Sequence, residues 1–454
     1  MSTDLAELAE RLVARARPGE QVEVYVGRST HTEVRVFAGE VESLSSADTA
    51  GVGVRVIVGG DGSGGARQGF AYAGTLDEAV AAETLAEARD NAAFGTPDEL
   101  LGLAPPDGVA PAELDLNRDG LAGVPADEKV RLALEVERAT RAADRRIRAV
   151  ESAGYGDSRS ESAVASTAGI RSSSRRTVCS VHASAVAGEG DDTHTGYGYS
   201  VGREPADLDV VTAAADAAHR STRLLGAVKP ASRRLTAVFD PLVTARFLGV
   251  LGSALSAESV QKGRSMFAGR VGAAVAAPCL TLVDDPTEPR AYGASRFDAE
   301  GLASRRNPLI DGGHLQGFLH NAYTARKAGA ASNACAVRAG YKSTPGAGSR
   351  ALALAPGTLG QDELLVEVGE GLLVLSVSGM HSGTNPVSGD FSVGVEGLMI
   401  RDGARAEPIR EATVASTLGQ MLLAARAVGG DLEWLPGGAA GVSLVVGDVT
   451  LSGT

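Results

Sequence analysis

Aromatic side chains are scarce in this chain of 454 residues, at 4% of the total. With 44% hydrophobic residues overall, its cores must be built from Ala, Val and Leu. Cysteine is almost absent. Cys179, Cys279 and Cys335 are odd in number and far apart, which argues against a disulfide framework. No apolar run reaches the roughly 18 residues that a membrane-spanning helix needs. A basic patch of the kind that grips nucleic acid is also missing, and the formal net charge is −13. The nearest approaches, "ADRRIR" (143–148) and "SSSRRT" (172–177), are short and read as solvated faces. The opening "MSTDLAELAERLVARA" reads as an amphipathic helix rather than a leader, lacking a basic start and an apolar centre. The expectation is a soluble protein of the reducing cytoplasm, with neither nucleic acid nor membrane as a partner. Glycine, by contrast, is plentiful, with 58 residues and no collagen-like period. That points to many tight turns and closely packed strands.

The pattern of elements predicts an α+β fold. A helix at about 3–17 precedes a meander over 21–60, where polar and apolar residues alternate with the period of a strand. "GGDGSGG" (59–65) reads as a hairpin loop, and a helix follows from Thr75. Residues 95–125, rich in Pro, Gly and Asp, read as a long connection. A second helix to about Ala143, a second meander from Ile147 to Val201 and a helix at about 205–225 repeat the layout. We therefore expect an N-terminal α+β domain over 1–228, with antiparallel meanders and flanking helices. A C-terminal domain over 229–454 is expected to be a mostly antiparallel barrel or sandwich with few helices. Its helices are predicted at about 241–258 and 413–427. Short strands are predicted at "LQGFLHN" and "ELLVEV", among others, and a strand pair at "GVSLVVGDVTLSG".

Chemistry is hard to assign from the residues alone. "GGDGSGG" lacks the GK[ST] of a phosphate loop. No two of the seven histidines stand at i, i+4 on a predicted helix. His182 and His194 could face each other across a hairpin and hold a metal, though polar residues on a sheet face are the simpler reading. Cys335 reads more simply as a buried thiol than as a nucleophile. Asp284, Asp285, Asp298 and Glu300 bracket a turn where carboxylates ordinarily accept from backbone amides. The most site-like stretch is "SGMHSGTNPVSGDFSVG" (378–394), with His381 at its centre.

Several segments together resemble one family: "SMFAGRVG" (265–272), "LTLVDDPTEPRAYGASRFDAEG" (280–301), "NPLIDGGHLQGFLHNAYTARKAG" (307–329), the His381 stretch through Gly403, and the terminal "VVGDVTLSG". In order and spacing they look like the TldD/PmbA family, closely over the C-terminal half and more loosely before it. The resemblance implies heterodimers of TldD-type and TldE-type (PmbA) subunits that act as zinc metallopeptidases on peptides. The TldD type carries H-E-x-x-x-H on a helix and a cysteine ligand in a late glycine-rich turn. Counting back from "KGRSMF", Leu248 and Gly249 stand here for the first His and the Glu, and Ser253 for the second His. The late turn "LPGGAAG" (435–441) has no cysteine.

The resemblance thus implies a TldE-type subunit with no catalytic residue and no metal of its own, partnered by a TldD-like subunit that carries the zinc. A stand-alone homodimeric binding protein and a hydrolase with an unrecognised site remain the alternatives. Peptide capture is expected at an exposed strand edge. His320, Tyr323, Arg326, His381, Asn385 and Asp390 are the candidates for lining the substrate channel or the subunit contact.

Overall fold

The computed structural model describes residues 4–59 and 64–453. About 24% of it is helix and 40% strand. Helix α1 (Leu5–Val13) is shorter than expected. Asp4 starts it by accepting from the Ala6 and Glu7 amides, and Leu5, Leu8, Ala9 and Leu12 form its buried stripe. Strands β1 (Gln21–Phe37) and β2 (Glu40–Gly59) pair antiparallel, from Gln21 opposite Ile57 to Phe37 opposite Glu40. Strand β3 (Ala66–Ala73) pairs back onto β2, from Gly59 opposite Ala66 to Val52 opposite Ala73. The centre of the "GGDGSGG" loop, residues 60–63, lies outside the described residues. Helix α2 (Glu78–Ala93), capped by Asp77, and α1 cover the apolar face of this meander.

The second section repeats the plan. Helix α3 (Ala126–Ala143) leads into β4 (Ile147–Ser166), β5 (Arg171–Glu189) and β6 (Asp192–Gly202), and α4 (Val210–Thr222) closes it. Because β1 also pairs with β4, both meanders merge into one antiparallel sheet of order β3-β2-β1-β4-β5-β6. All four helices lie on one face of it. Val181, Ala183, Ala185 and Ala187 of β5 pack there against α3 and α4. Glycine permits the closest approach: a Cβ on Gly198 would stand 2.0 Å from the Ala213 carbonyl oxygen of α4. The other face of β4, β5 and β6 turns toward the C-terminal half.

That half holds a closed five-strand barrel. Strand β7 (Arg233–Phe239) runs parallel to Gly371–Ser378 and antiparallel to Leu444–Ser452. Asp390–Arg401 and Ala404–Thr417 continue the ring, which closes where Thr413 lies opposite Ser452. Helix α5 (Pro241–Ala254) begins at Asp240, whose carboxylate accepts from the Leu242 amide at 3.1 Å. Val243, Phe247, Leu248 and Leu251 press into the main core.

Four local expectations fail here. "LQGFLHN" is in a strand only at Leu315, opposite Ile310, and the rest leads irregularly to the helix Ala322–Ala328. "TVAST" does not open a helix at 413. Its β-branched residues extend the strand to Thr417, and only Leu418–Leu423 is helical, capped by the Thr417 hydroxyl. "ELLVEV" is not a strand but the helix Gln361–Val368, started by the Glu363 carboxylate accepting from the Gly360 amide at 2.7 Å. "GVSLVVGDVTLSG" forms one bulged strand rather than a pair, with Asp448 at positive φ.

Candidate functional site

A cleft of about 690 Å³ opens between the first sheet and the barrel half. Alternation along β5 and β6 builds one wall. Gly196 and Gly198 face α4, so Tyr197, Tyr199 and Val201 face the cleft, beside Ser180. The end of α4 adds Arg220 and Arg223. The facing wall is α5, where Leu242, Arg246 and Gly249 recur at helical spacing. The floor is the turn from Leu435 to Ala439.

The cleft is apolar with cationic edges. Arg220 donates to the Tyr197 carbonyl at 2.7 Å and to Asp216 at 2.8 Å. Arg246 donates to the Val377 carbonyl at 3.0 Å. Burial holds the Arg223 guanidinium below its usual range, with Asp240 opposing, and its Nε is buried with no hydrogen-bond partner. Burial also raises the Tyr197 and Tyr199 phenols. Glu396 lines the cleft and accepts from the Ser376 hydroxyl at 3.0 Å. Gly249 has no heavy atom within 4 Å of where a Cβ would stand. Such a site can hold an extended apolar segment and an anionic group at its rim.

None of the six residues singled out from sequence lines this cleft. Tyr323 and Arg326 sit on the helix Ala322–Ala328 and bind the 95–125 connection instead. Tyr323 donates to Asp98 at 2.7 Å, and Arg326 to the carbonyls of Leu100, Gly102 and Leu103. His320 is half-buried next to that helix. Its backbone amide donates to Asn333, its Nδ1 is buried without a partner, and burial holds its imidazole below the usual range. His381, Asn385 and Asp390 lie together on an exposed turn, where Asn385 accepts from the Val387 and Ser388 amides and Asp390 from the Ser388 hydroxyl.

The weaker candidates separate as well. His182 faces Tyr199, whereas His194 faces Ala187 on the opposite, helix-covered side of the sheet, so the two cannot share a metal. Cys335 is fully buried, and burial pushes its thiol up. Asp284 accepts from the Arg350 and Ala351 amides, and Asp298 from those of Glu300, Leu302 and Ala336. Asp285 accepts from Thr287, and Glu300 from the Ala322 amide at 2.8 Å. Leu248 points into the core, Gly249 faces the cleft, and the exposed Ser253 donates to the Gly249 carbonyl at 3.3 Å. Among the described residues, no three His, Cys, Asp or Glu side chains gather as metal ligands would.

The cleft residues were missed because they come from segments far apart in the chain, from Ser180 to Ala439. One local signal was present: "GYGYSV" (196–201) sets tyrosines against glycines with period two, marking a strand with one packed face and one open face.

Models of three domains match the chain. The PmbA/TldA metallopeptidase domain 1 covers residues 22–92, the central domain 119–225 and the C-terminal domain 232–453. "Metalloprotease PmbA" of Escherichia coli O157:H7 is 28% identical over 90% of this chain and 88% of that protein. A "Metalloprotease PmbA homolog" of Haemophilus influenzae is 26% identical over 92% and 89%. Among solved structures, TldE from Thermococcus kodakarensis superposes with a TM-score of 0.85 over 99% of each chain, at 22% identity, a likeness of fold. A Bacteroides thetaiotaomicron protein, described as a candidate modulator of DNA gyrase, superposes with a TM-score of 0.86 at 27% identity over the whole of both chains. With all three domain models in order along its length, the chain belongs to the PmbA/TldD metallopeptidase family.

Proposed function

We propose that this chain is a TldE-type, non-catalytic subunit that pairs in the cytoplasm with a TldD-like zinc metallopeptidase, and that its cleft forms part of the peptide channel. One observation carries the reading. The helix that would bear the metal ligands is present and borders the cleft, but it offers no donor set. Leu248 is aliphatic and buried, Gly249 has no side chain, and the Ser253 hydroxyl is turned onto its own helix. The turn at 435–441 adds no His, Cys, Asp or Glu. A catalytic zinc needs three protein ligands and one open position, and these residues do not fit it.

What the cleft keeps is the binding half of a peptidase. Its apolar walls suit side chains, and its arginines suit carboxylates or carbonyls. Strand addition along β6 is restricted, because the Tyr197 and Val201 carbonyls at that edge already accept from Arg220 and Tyr292. Side chains across the cleft are therefore the main grip on a peptide.

Co-purification with the TldD-like protein of the same genome tests the proposal. We expect a stable assembly, zinc on the partner alone, and peptidase activity that needs both chains. A partner fully active by itself beside a monomeric form of this chain would overturn it. So would stoichiometric zinc on this chain purified alone.

A further inference from the structure

The run "SSSRRT" (172–177) has no part in the cleft just described. It lies on β5, where Ser174 pairs with Ser162 and Arg176 with Ser160 of β4. These residues share the sheet face turned toward the C-terminal half. There they line a second cleft, of about 540 Å³, completed by Tyr292, Phe297 and Arg350.

Its arginines divide by their partners. Arg175 also borders this cleft, but it pairs with Glu161 at 3.2 Å. Arg338 pairs with Glu23 at 2.6 Å. Arg176 donates only to the Ala294 carbonyl, and no carboxylate among the described residues reaches it. Arg350 donates to the Phe297 and Ala334 carbonyls and the Ser304 hydroxyl, and its Nε is buried with no partner. Burial, then the neighbouring guanidiniums of Arg203 and Arg350, push Arg176 down to about 10. The carboxylate lining this cleft, Asp298, accepts three backbone amides and also feels the charge of Arg350, which leaves Arg176 as the guanidinium with no acid beside it. The hydroxyls of Ser162, Ser172 and Ser174 have no hydrogen-bond partner among the described residues. Two guanidiniums held by neutral carbonyls, beside unengaged hydroxyls, form a receptor for an anion.

The size and course of the cleft select the anion. Gly437 and Gly438 line both clefts. Arg176 and Ser180 stand on the same face of β5, four residues apart, and Ser180 lines the apolar cleft. That separation is about 13 Å, the length of about four extended residues.

We infer that Arg176 and Arg350 hold the C-terminal carboxylate of an extended peptide, whose preceding residues pass the Gly437–Gly438 turn into the apolar cleft. This rests on reading the apolar cleft as a peptide channel, but it does not require a TldD-like partner.

The test uses the full chain alone. A fluorescein-labelled ten-residue unstructured peptide with a free C-terminal carboxylate is compared with its C-terminal amide by anisotropy. We expect the acid to bind at least about tenfold more tightly, the difference of one lost charge-assisted contact. Arg176→Gln should bring the acid down to the level of the amide, while Arg171→Gln, at an exposed residue of the same strand that pairs with Glu10 and lines neither cleft, leaves the difference intact. Equal binding of acid and amide by the unmodified chain overturns the inference without relying on any variant. So does no binding of either peptide. Arg176-dependent binding of inorganic phosphate with no preference between acid and amide would make this a phosphate site and also overturn it. Acid-selective binding by a chain that fails to assemble with a TldD-like protein keeps this inference and discards the partner role. The reverse result keeps the partner role alone.

Discussion

At one end of the interface between the first sheet and the C-terminal half, arginines meet acids. Arg55 and Arg338 each reach Glu23 at 2.6 Å, and Arg55 lies 3.6 Å from Glu300. Arg338 also stacks 4.9 Å over the Tyr25 ring. Further along the same interface, Arg176, Arg350 and Arg246 hydrogen-bond only to carbonyls and hydroxyls, and of these Arg350 alone has carboxylates, Asp284 and Asp298, near enough to feel its charge. Residue type is the same in both regions, and the difference lies in what faces it. A closed set of charges is satisfied by folding and serves stability. An open set is left with donors and charge to spend on a ligand, at some cost in stability.

The largest effect should come from opening the closed set. Burial alone would push the Glu23 carboxyl up, and the Arg55 and Arg338 guanidiniums outweigh it and hold it below the usual range. Glu23→Gln leaves two buried guanidiniums short of countercharge. A loss of about 3–5 kcal/mol is expected from urea unfolding, the cost of breaking a buried pair. Arg176→Gln, which removes an unpaired charge, should cost much less in the same measurement. Equal losses would erase the contrast between the two regions.

Glu300 sharpens the comparison through pH. Burial first, then Asp298 and Glu23, push its carboxyl up to about 7 against the pull of Arg55. An acid whose folded pKa is raised binds its proton more tightly in the folded state. Its penalty is absent below the unfolded value near 4.5, grows as pH rises, and is complete above about 7. Glu300→Gln should therefore flatten the fall in stability between about pH 5 and 7. At pH 8 it should gain on the order of 3–4 kcal/mol, from a rise of about 2.5 pKa units at about 1.4 kcal/mol each. Unfolding midpoints across pH 5–8 check this. A steeper slope in the variant would show that the Arg55 pairing dominates instead.

Much of this fold is legible in the sequence, and the reason is local. In β1, β2, β5 and β6 the alternation of side chains reports one covered face directly. The second helix, read from Thr75, is in fact capped two residues later by Asp77, as Asp4 and Asp240 cap two others. Reading fails where local signals conflict. "TVASTLGQMLLAARA" mixes β-branched residues with helix formers, and its pairing to Asp390–Val395 decides for strand as far as Thr417. The clefts are less legible still. Their walls come from β4, β5, β6, α4, α5 and the 435–439 turn, brought together by long-range pairing that no window of sequence contains. Polar density in loops selected Tyr323 and Arg326, which spend their hydrogen bonds on the 95–125 connection. Arg176 was visible as one letter of "SSSRRT". What gives it meaning is the lack of an acid across the fold, which the sequence does not display.

Gly249 offers a smaller test aimed at the apolar cleft. A Cβ there has no neighbour within 4 Å, and replacing a glycine inside a helix favours the fold by up to about 1 kcal/mol. Gly249→Leu should therefore unfold no earlier than the parent while filling part of the cleft. Binding of the peptide acid should weaken by about fivefold to tenfold, roughly 1 kcal/mol. Gly249→Ala, which adds one methyl, should keep the stability gain and lose little binding. Unchanged binding in the leucine variant would place the peptide elsewhere and leave the carbonyl-bound arginines without a channel to serve.

The smallest effect is expected at the residue that looked most like a site in the sequence. His381 lies on the exposed turn Met380–Gly383. Other groups hold that turn: the Gly383 amide donates to the Gly379 carbonyl at 2.8 Å, and the Thr384 hydroxyl to the Met380 carbonyl at 2.7 Å. The imidazole makes no hydrogen bond among the described residues, and it lines neither cleft. His381→Ala should therefore change stability by less than about 0.5 kcal/mol. It should also leave acid-over-amide selectivity as it is. A loss of assembly with a TldD-like subunit, with stability and peptide binding intact, would assign the turn to the subunit contact. A loss of peptide binding as large as that of Arg176→Gln would move the anion receptor onto this exposed loop, where water competes for every hydrogen bond, and would remove the basis for separating paired from unpaired arginines.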